Sequence, residues 1–133
     1  MSDKKPAKPP AFIFGKRPDT VTASVKFTSV TGVEVDIECQ FKYRTRKEFS
    51  TLWDEVSEPV MGNVTDPDFS YAGLANKGLK VNAERTLQYL AGWPLELELN
   101  AENIIQLFDE EPDAPAAFWD AYRQALTKGR QGN

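Results

Sequence analysis

The chain has 133 residues, of which 41% are hydrophobic and 27% are charged, and it contains no histidine. Histidine is the usual general base near neutral pH and the commonest metal ligand, so its absence argues against triad, acid–base and zinc enzymes. The net charge of −4 argues against nucleic-acid binding, which favours a basic surface. A lone Cys39, with no long apolar run and no hydrophobic leader, predicts a cytoplasmic protein without a membrane span.

The first residues of the chain predict an arm followed by a short apolar segment. Residues 1–10 read MSDKKPAKPP, which has too few apolar side chains to form a packed element. We predict a flexible arm over residues 1–10 and a single domain over residues 11–133. Phe12, Ile13 and Phe14 come next, before Gly15, and predict a short third strand beside the hairpin described below. The same three residues are our candidates for self-association into a homo-oligomer.

Apolar and polar residues alternate over residues 21–28 and again over residues 33–44. A period of two is typical of strands with one buried and one solvated face. Between the runs, SVTG at residues 29–32 predicts a turn in which Gly32 adopts a positive φ. The sequence therefore predicts a long β-hairpin. Its apolar face needs a cover from the rest of the chain, and its outer edge is free to pair with another copy.

A helix is predicted directly after the hairpin. Thr45 and Glu48 have the spacing of a capping box, and Pro59 ends the helix. Apolar residues then recur at i, i+3, i+4 and i+7, which is the spacing of a buried helix face. We assign this stripe to the core: Phe49, Leu52, Trp53 and Val56.

The middle of the chain has weaker signals. Residues 60–80 contain turn-forming sequences, with Gly73 and Gly78, and predict a loop with one helical turn. Asn82 is predicted to cap the next helix, which ends where Gly92 precedes Trp93 and Pro94. Three leucines then alternate with glutamates and predict an extended link with its leucines facing inward: Leu95, Leu97 and Leu99.

Two helices are predicted in the last third. Asn100 caps the first, which carries an apolar stripe and ends at Pro112. Asp113 caps the second, and Gly129 follows its end. Because strands come first and helices after, we predict an α+β fold, with an N-terminal antiparallel β-hairpin or small sheet packed against about four C-terminal helices.

The last helix is apolar on more than one flank. Phe118, Ala121, Tyr122 and Ala125 share one face, whereas Trp119 falls beside it on the flank of Leu126. Such a helix either lies centrally in the fold or contacts a partner. Our candidate partner-binding residues are therefore Trp119, Tyr122 and Leu126.

No arrangement of residues predicts a catalytic, cofactor or metal site. Four carboxylates, Asp109, Glu110, Glu111 and Asp113, suit a metal ion, a patch for a basic partner or, as we favour, a solvated acidic loop. Glu34, Asp36 and Glu38 have the spacing of a glycosidase pair, but their alternation with apolar residues favours a solvated strand face. Cys39 lies on the apolar side of its strand, which indicates a core residue. We therefore predict a protein that is not an enzyme and needs no cofactor.

The chain resembles the tail assembly chaperones of long, non-contractile-tailed bacteriophages and related prophages over roughly residues 20–133. The resemblance rests on LAGW at residues 90–93, NAENI at 100–104, LFDE at 107–110, AFWDAY at 117–122 and the GRQGN ending. FKYRTRKEF at residues 41–49 also fits the sheet-to-helix junction of that family. Pro94 is a departure, since polar or acidic residues are more typical at that position.

The resemblance implies a small non-enzymatic protein that coats the tape measure protein, recruits tail tube subunits and is absent from the mature virion. A coat of many acidic subunits suits a long, aggregation-prone helical chain, which would lie on an apolar surface of each subunit. The alternative is a structural virion protein, for tail completion or head–tail joining.

Overall fold

The computed structural model describes residues 12–128. Within them lie three strands and four helices: β1 (Thr20–Thr28), β2 (Glu34–Lys42), α1 (Arg46–Val56), α2 (Tyr71–Leu87), β3 (Leu90–Gly92), α3 (Ala101–Glu110) and α4 (Ala114–Lys128). The α+β prediction is confirmed. The predicted arm over residues 1–10 and the predicted glycine after the last helix lie outside the described residues.

The predicted hairpin is present. β1 and β2 pair antiparallel without a break, from Thr20 opposite Lys42 to Thr28 opposite Glu34. Gly32 has a φ of 88°, which the tight turn requires and which glycine adopts without strain. Apolar residues of both strands face the helices, and the opposite face of the sheet carries the polar residues.

The third strand is not the one that the sequence predicted. β3 fills that place by pairing with β2 at Gln40 and Phe41, in the strand order β1-β2-β3. Phe12 and Phe14 are 92% and 83% exposed and lie in no strand, so this prediction was wrong. The chain instead turns at Gly15, whose φ is 89°, with Lys16 N donating to the carbonyl of Ile13, and Arg17 binds Glu48 at the start of α1.

α1 begins where the capping box predicted. The hydroxyl of Thr45 accepts from the backbone N–H of Glu48, and the Glu48 carboxylate accepts from the backbone N–H of Thr45. Phe49 is buried, but Trp53 is 42% exposed, so its assignment to the core was wrong. α1 lies at the margin of the helix layer, and its third stripe position is only partly covered.

α2 is a 17-residue helix that includes residues predicted to be a loop. The hydroxyl of Ser70 caps it by accepting from the N–H of Gly73, so Asn82 lies inside the helix and is not its cap. The helix ends at Leu87, because Leu90 pairs with Phe41 in the sheet. Sheet pairing therefore ends the helix before the predicted stop at residues 92–94.

The leucine-rich link is also different from the prediction. Leu95 and Leu97 are 37% and 56% exposed, and the chain bends over residues 94–97. The indole N–H of Trp93 donates to the carbonyl of Leu97 at 2.9 Å, which closes this bend. Alternation places side chains inward only where a neighbouring strand keeps the backbone extended, and no such strand is present beside this link within residues 12–128.

The last two helices complete the helix layer as predicted. The side chain of Asn100 caps α3 through the N–H of Asn103, and α3 packs on α2. α4 packs over β1, where small buried residues such as Ala23 and Ala121 permit a close approach. No helix in residues 12–128 has both the length and the apolar character to cross a bilayer.

Candidate partner-binding surface

A stack of three aromatic rings lies between the sheet and the helices. The rings of Tyr89 and Tyr122 are nearly parallel with centroids 4.8 Å apart, and Phe41 of β2 stacks on Tyr122 at 5.5 Å. All three side chains are buried. Such pairs contribute about 0.5–1.5 kcal/mol each beyond the area they bury. The stack therefore joins the sheet to α4 and to the chain after α2.

The hydroxyl of Tyr122 is the polar centre of this stack. It donates to the carbonyl of Lys42 at 2.9 Å and accepts from Arg44 Nη1 at 3.0 Å. Arg44 also donates to the carbonyl of Gln88 at 2.9 Å, at the end of α2. Burial is the main cause that raises the pKa of Tyr122. Tyr122, one of the three predicted partner-binding residues, is 0% exposed and lies beneath the surface rather than on it.

Trp119 carries the aromatic packing from the stack to the surface. Its ring stacks on Phe49 at 5.5 Å and meets the edges of Tyr89 and Trp53 at 5.4 and 5.6 Å. Trp119 is half-buried and Trp53 is 42% exposed. We call Trp53 and Trp119 the tryptophan pair. The pair presents an aromatic surface to solvent that is fixed in position by the core beneath it.

A shallow cavity of about 180 Å³ opens beside the tryptophan pair. It lies between α1, α2 and the start of α4. Apolar and aromatic side chains form about half of its wall, and polar side chains form the rest. The lining residues are Val56, Ser57, Asn82, Arg85, Thr86, Tyr89, Phe108, Pro115 and Trp119.

Two polar side chains of this cavity, Arg85 and Thr86, bind backbone carbonyls and so help to hold the fold. Arg85 donates to the carbonyls of Val56 and Glu58 at 3.1 and 2.7 Å, which caps the end of α1. Burial raises the pKa of Tyr89 to about 12, so its phenol stays neutral at ordinary pH. A neutral phenol and a guanidinium bound to backbone carbonyls do not form an acid–base pair. The cavity is suited to accepting an apolar side chain from another polypeptide.

Leu126 lies on the same flank of α4 as Trp119 but opens into a different cavity. This second cavity, of about 540 Å³, is lined by Tyr43, Arg44, Thr45, Arg46, Phe49, Leu126 and Thr127. Phe49 stacks on Trp119 and also lines the cavity at Leu126. α1 therefore divides the flank that the sequence suggested was continuous. Whether Trp119, Tyr122 and Leu126 bind a partner stays a prediction.

The predicted self-association segment is exposed. Ile13 is 55% exposed and lies between the more exposed Phe12 and Phe14. Gly15, with a φ of 89°, turns the chain, and Lys16 N donates to the carbonyl of Ile13 at 3.3 Å. Within residues 12–128, no aromatic contact of Phe12 or Phe14 brings either ring into the core. The self-association of this segment stays a prediction.

One of the acidic residues near the end of α3 makes contacts that stabilise the fold. Glu111 accepts from Ser29 Oγ at 3.0 Å and from the N–H of Val30 at 2.9 Å, which ties the hairpin turn to the loop before α4. Asp109 and Asp113 are exposed, but Asp109 and Glu110 lie in the last turn of α3, so the prediction of an acidic loop holds only for the residues after Glu110. Across residues 12–128, no group of three acidic or cysteine side chains is placed to hold a metal ion.

Cys39 is a core residue, as predicted. It is 0% exposed, and burial raises the pKa of its thiol to about 12. The thiolate is the nucleophilic form, so this side chain is inert at neutral pH. The exposed Glu34, Asp36 and Glu38 likewise form the solvated strand face that was expected.

Sequence reasoning missed the roles of four residues that shape the surface. Trp53 was assigned to the core because its stripe position is apolar, but that position lies at the margin of the packing. Arg44 and Arg85 bind backbone carbonyls of distant segments, and Glu111 binds the hairpin turn. Arg85 lies in the last turn of α2 but binds carbonyls at the end of α1, and no signal in the sequence joins those two helices.

Comparison with known families gives one match. A family model described as phage tail assembly chaperone matches residues 9–133, which is nearly the whole chain. No curated protein and no solved structure matches the chain.

Proposed function

This chain belongs to the phage tail assembly chaperones, and we propose that it binds the tape measure protein and recruits tail tube subunits to it during tail assembly. The family match supports a role in tail assembly, and the exposed tryptophan pair supports direct binding of a polypeptide. The proposed role includes no covalent chemistry. It places the protein in the cytoplasm of the bacterial host and leaves it out of the finished virion.

The tryptophan pair is the observation on which the binding mode rests. A helical tape presents apolar residues at i, i+3, i+4 and i+7, and such a face docks into an apolar groove. Trp53 supplies the exposed ring, and the 180 Å³ cavity beside Trp119 accepts a side chain from the next turn of the partner helix. Covering the exposed part of one tryptophan removes about 100 Å² from water, worth roughly 2–3 kcal/mol.

The rigidity of the pair favours this mode further. Trp119 is held by Phe49, Tyr89 and Tyr122, at centroid distances of 5.5, 5.4 and 6.1 Å. A partner that contacts it therefore does not have to order a mobile side chain, which saves about 0.5–1.5 kcal/mol for each such residue. The net charge of −4 keeps many copies soluble when they gather along one tape.

Co-expression with the tape measure protein tests the proposal. The wild-type chain is expected to increase the soluble fraction of the tape and to co-purify with it. Trp53→Ala is expected to weaken that capture by about tenfold or more, because aromatic anchors dominate such interfaces. Tyr71→Ala is the matched control, since Tyr71 is 76% exposed on α2 and lies outside the cavity lining. A tape that is equally insoluble with and without the chain contradicts the proposal.

Recruitment of the tube protein needs its own measurement. Immobilised tape is expected to retain tube protein when the chaperone is present and to lose it when the chaperone is omitted. Equal retention in both cases contradicts recruitment without affecting tape binding.

Mass spectrometry of purified particles separates a chaperone from a structural virion protein. The chain is expected to be present in lysates at the time of tail assembly and missing from finished particles. A fixed number of copies in each particle favours the structural alternative.

A further inference from the structure

β2 has a free edge along half of its length. On one side it pairs with β1 at all nine residues, but on the other side β3 pairs with it only at Gln40 and Phe41. The part of β2 from residue 34 to residue 38 therefore has no strand on its β3 side within residues 12–128. We call this part of the strand the open edge of β2.

The hydrogen bonds at the two ends of the hairpin show which residues face the open edge. Ser29 N donates to the carbonyl of Val33 at 2.8 Å, and Tyr43 N donates to the carbonyl of Asp19 at 3.0 Å. Odd-numbered residues of β2 therefore direct their backbone groups to β1, and even-numbered residues direct theirs away from it. The hydrogen bond from Lys42 N to the carbonyl of Tyr89, at 2.8 Å, fits this pattern, because Lys42 is even-numbered and Tyr89 lies on the β3 side.

The unpaired backbone groups on the open edge therefore belong to Glu34, Asp36 and Glu38. Within residues 12–128, none of these three residues forms a backbone–backbone hydrogen bond on the β3 side. Their carboxylates are exposed on one face of the sheet, and Val35 and Ile37 are half-buried on the other face. Like charges placed opposite one another are destabilising, so the open edge rejects another β2. It suits a strand with apolar residues on one face and basic residues nearby.

The same chain carries a short exposed apolar segment that suits this edge when it is extended: Phe12, Ile13 and Phe14. The segment is four-fifths or more exposed at both phenylalanines and is flanked in sequence by Lys8 and Lys16. In an extended conformation Phe12 and Phe14 point to one face. That face matches the half-buried Val35 and Ile37.

A chain cannot supply this segment to its own open edge. Arg17 is fixed at the opposite end of the sheet, where it binds Glu48 at 2.6 Å and lies over the ring of Tyr43 at 5.2 Å. Three residues separate Phe14 from Arg17, which allows about 10 Å of extended chain. Eight residues separate Tyr43 from Val35 along β2, which is about 26 Å. The donor of the strand must therefore be a second copy.

We propose that Phe12, Ile13 and Phe14 of one copy add a strand to the open edge of β2 in a second copy. Phe12 and Phe14 pack against Val35 and Ile37, and the lysines beside the segment in the sequence add positive charge near the acidic row. The donor and the acceptor are different surfaces, so each added copy presents a new open edge and assembly continues head to tail. The proposal does not depend on tape binding.

Sedimentation of the full chain over a range of concentrations tests the interface. The wild type is expected to associate, and Phe12→Ser with Phe14→Ser is expected to weaken association by about tenfold or more. These side chains are exposed, so the folded chain is retained. The matched control is Met61→Ser with Val64→Ser, which removes two apolar residues that are 69% and 66% exposed elsewhere and leaves association unchanged. Association of the donor variant at wild-type strength overturns the proposal.

The acceptor side has a separate variant. Asp36→Pro removes an N–H that points to the open edge and leaves the ladder between β1 and β2 intact. If the Asp36→Pro chain does not fold, the variant Asp36→Lys with Glu38→Lys is used in its place. It reverses the charge of two exposed side chains on the open edge. Either acceptor variant is expected to be monomeric alone.

Mixing the two kinds of variant gives the decisive result. The donor variant keeps an intact open edge, and the acceptor variant keeps an intact segment. The mixture is therefore expected to form a one-to-one dimer that grows no further. A mixture that stays monomeric, or a wild type that is monomeric at about 1 mM, overturns the proposal. If the monomeric variants still capture the tape measure protein, tape binding does not depend on self-association.

Discussion

The two halves of α2 differ in what holds them. Residues 81–87 form the inner half, in which Ala83 is 0% and Thr86 is 3% exposed within the core. Residues 71–80 form the outer half, which has no buried residue, and Tyr71 at its start is 76% exposed. One continuous helix therefore runs from the centre of the protein to its surface.

The outer half of α2 is held mainly by contacts with residues close to it in the sequence. Ser70 caps the helix, Lys77 donates to the carbonyl of Met61 at 3.4 Å, and the rings of Phe69 and Tyr71 meet at 5.0 Å. All these partners lie within about 16 residues along the chain. The difference teaches that regular helix geometry does not imply uniform stability, since local opening follows the density of buried contacts.

The largest expected difference is between two tyrosines. Tyr122→Ala is expected to lower the free energy of unfolding by about 3–5 kcal/mol, because it empties the centre of the aromatic stack and leaves Arg44 without its phenol partner. Tyr71→Ala is expected to change it by less than about 0.5 kcal/mol. Urea denaturation of both variants measures the contrast. Equal losses would show that the outer half is as tightly coupled to the core as the stack.

Alkaline pH is expected to lower the stability of the core, which holds the inner half of α2. Burial raises the pKa of Cys39 from 9.0 to about 12 and that of Tyr89 from 10.0 to about 12. The unfolded chain ionises these groups at their ordinary pKa values, whereas the folded chain holds them neutral. The stability that they contribute is therefore complete below pH 9 and is lost between pH 9 and 12, on the order of a few kcal/mol.

Variants at the two buried groups check this alkaline effect. Cys39→Ala and Tyr89→Phe are each expected to flatten the fall in the free energy of unfolding between pH 9 and 12. Refolding on return to pH 7 is the control for chemical damage. If the free energy of unfolding falls as steeply with pH in both variants as in the wild type, ionisation of Cys39 and Tyr89 is not the cause of the alkaline effect.

Removal of the α2 cap is expected to have a smaller and local effect. Ser70→Ala removes the side-chain acceptor for the N–H of Gly73 and costs about 1 kcal/mol at the start of the helix. Amide hydrogen exchange is expected to quicken over residues 71–80 and to stay unchanged over residues 81–87. A uniform change over the whole helix would mean that its halves open together.

The smallest expected effect stabilises the outer half. A Cβ built at Gly78 meets nothing within 4 Å, and the residue lies inside the helix. Gly78→Ala is therefore expected to stabilise α2 by about 0.5–1 kcal/mol, since alanine loses less backbone entropy. Slower exchange over residues 71–80 measures the gain. Gly92→Ala is the contrasting variant, because its Cβ would lie 2.8 Å from Gln40 Oε1 and require that side chain to move.

The hairpin and the start of α1 were predictable because their signals are local. Strict alternation set the faces of β1 and β2, and Thr45 with Glu48 marked the boundary of α1. The outer half of α2 was missed because Gly73 and Gly78 weaken the helix signal, and the contacts that offset this come from the preceding loop. Contacts between a helix and the loop before it leave no period in the sequence.

The candidate surface was predictable only in part. The position of Trp119 beside the main stripe of α4 correctly indicated a second apolar flank. Its neighbour Trp53 was missed, because a stripe residue at the margin of packing has the same spacing as one at its centre. The third strand was missed for a related reason: three apolar residues at 90–92 pair with β2 because of where α2 ends, not because of their own pattern.

The bonds from Glu111 to Ser29 and Val30 join positions 81 and 82 residues apart in the chain. The hairpin tip is therefore fastened only after the ribosome has made most of the polypeptide. At about 5–20 residues per second, the nascent sheet waits several seconds or more for α3 and α4 to emerge and cover it. Such distant pairings slow folding, so the hairpin tip is among the last parts of the fold to be fastened.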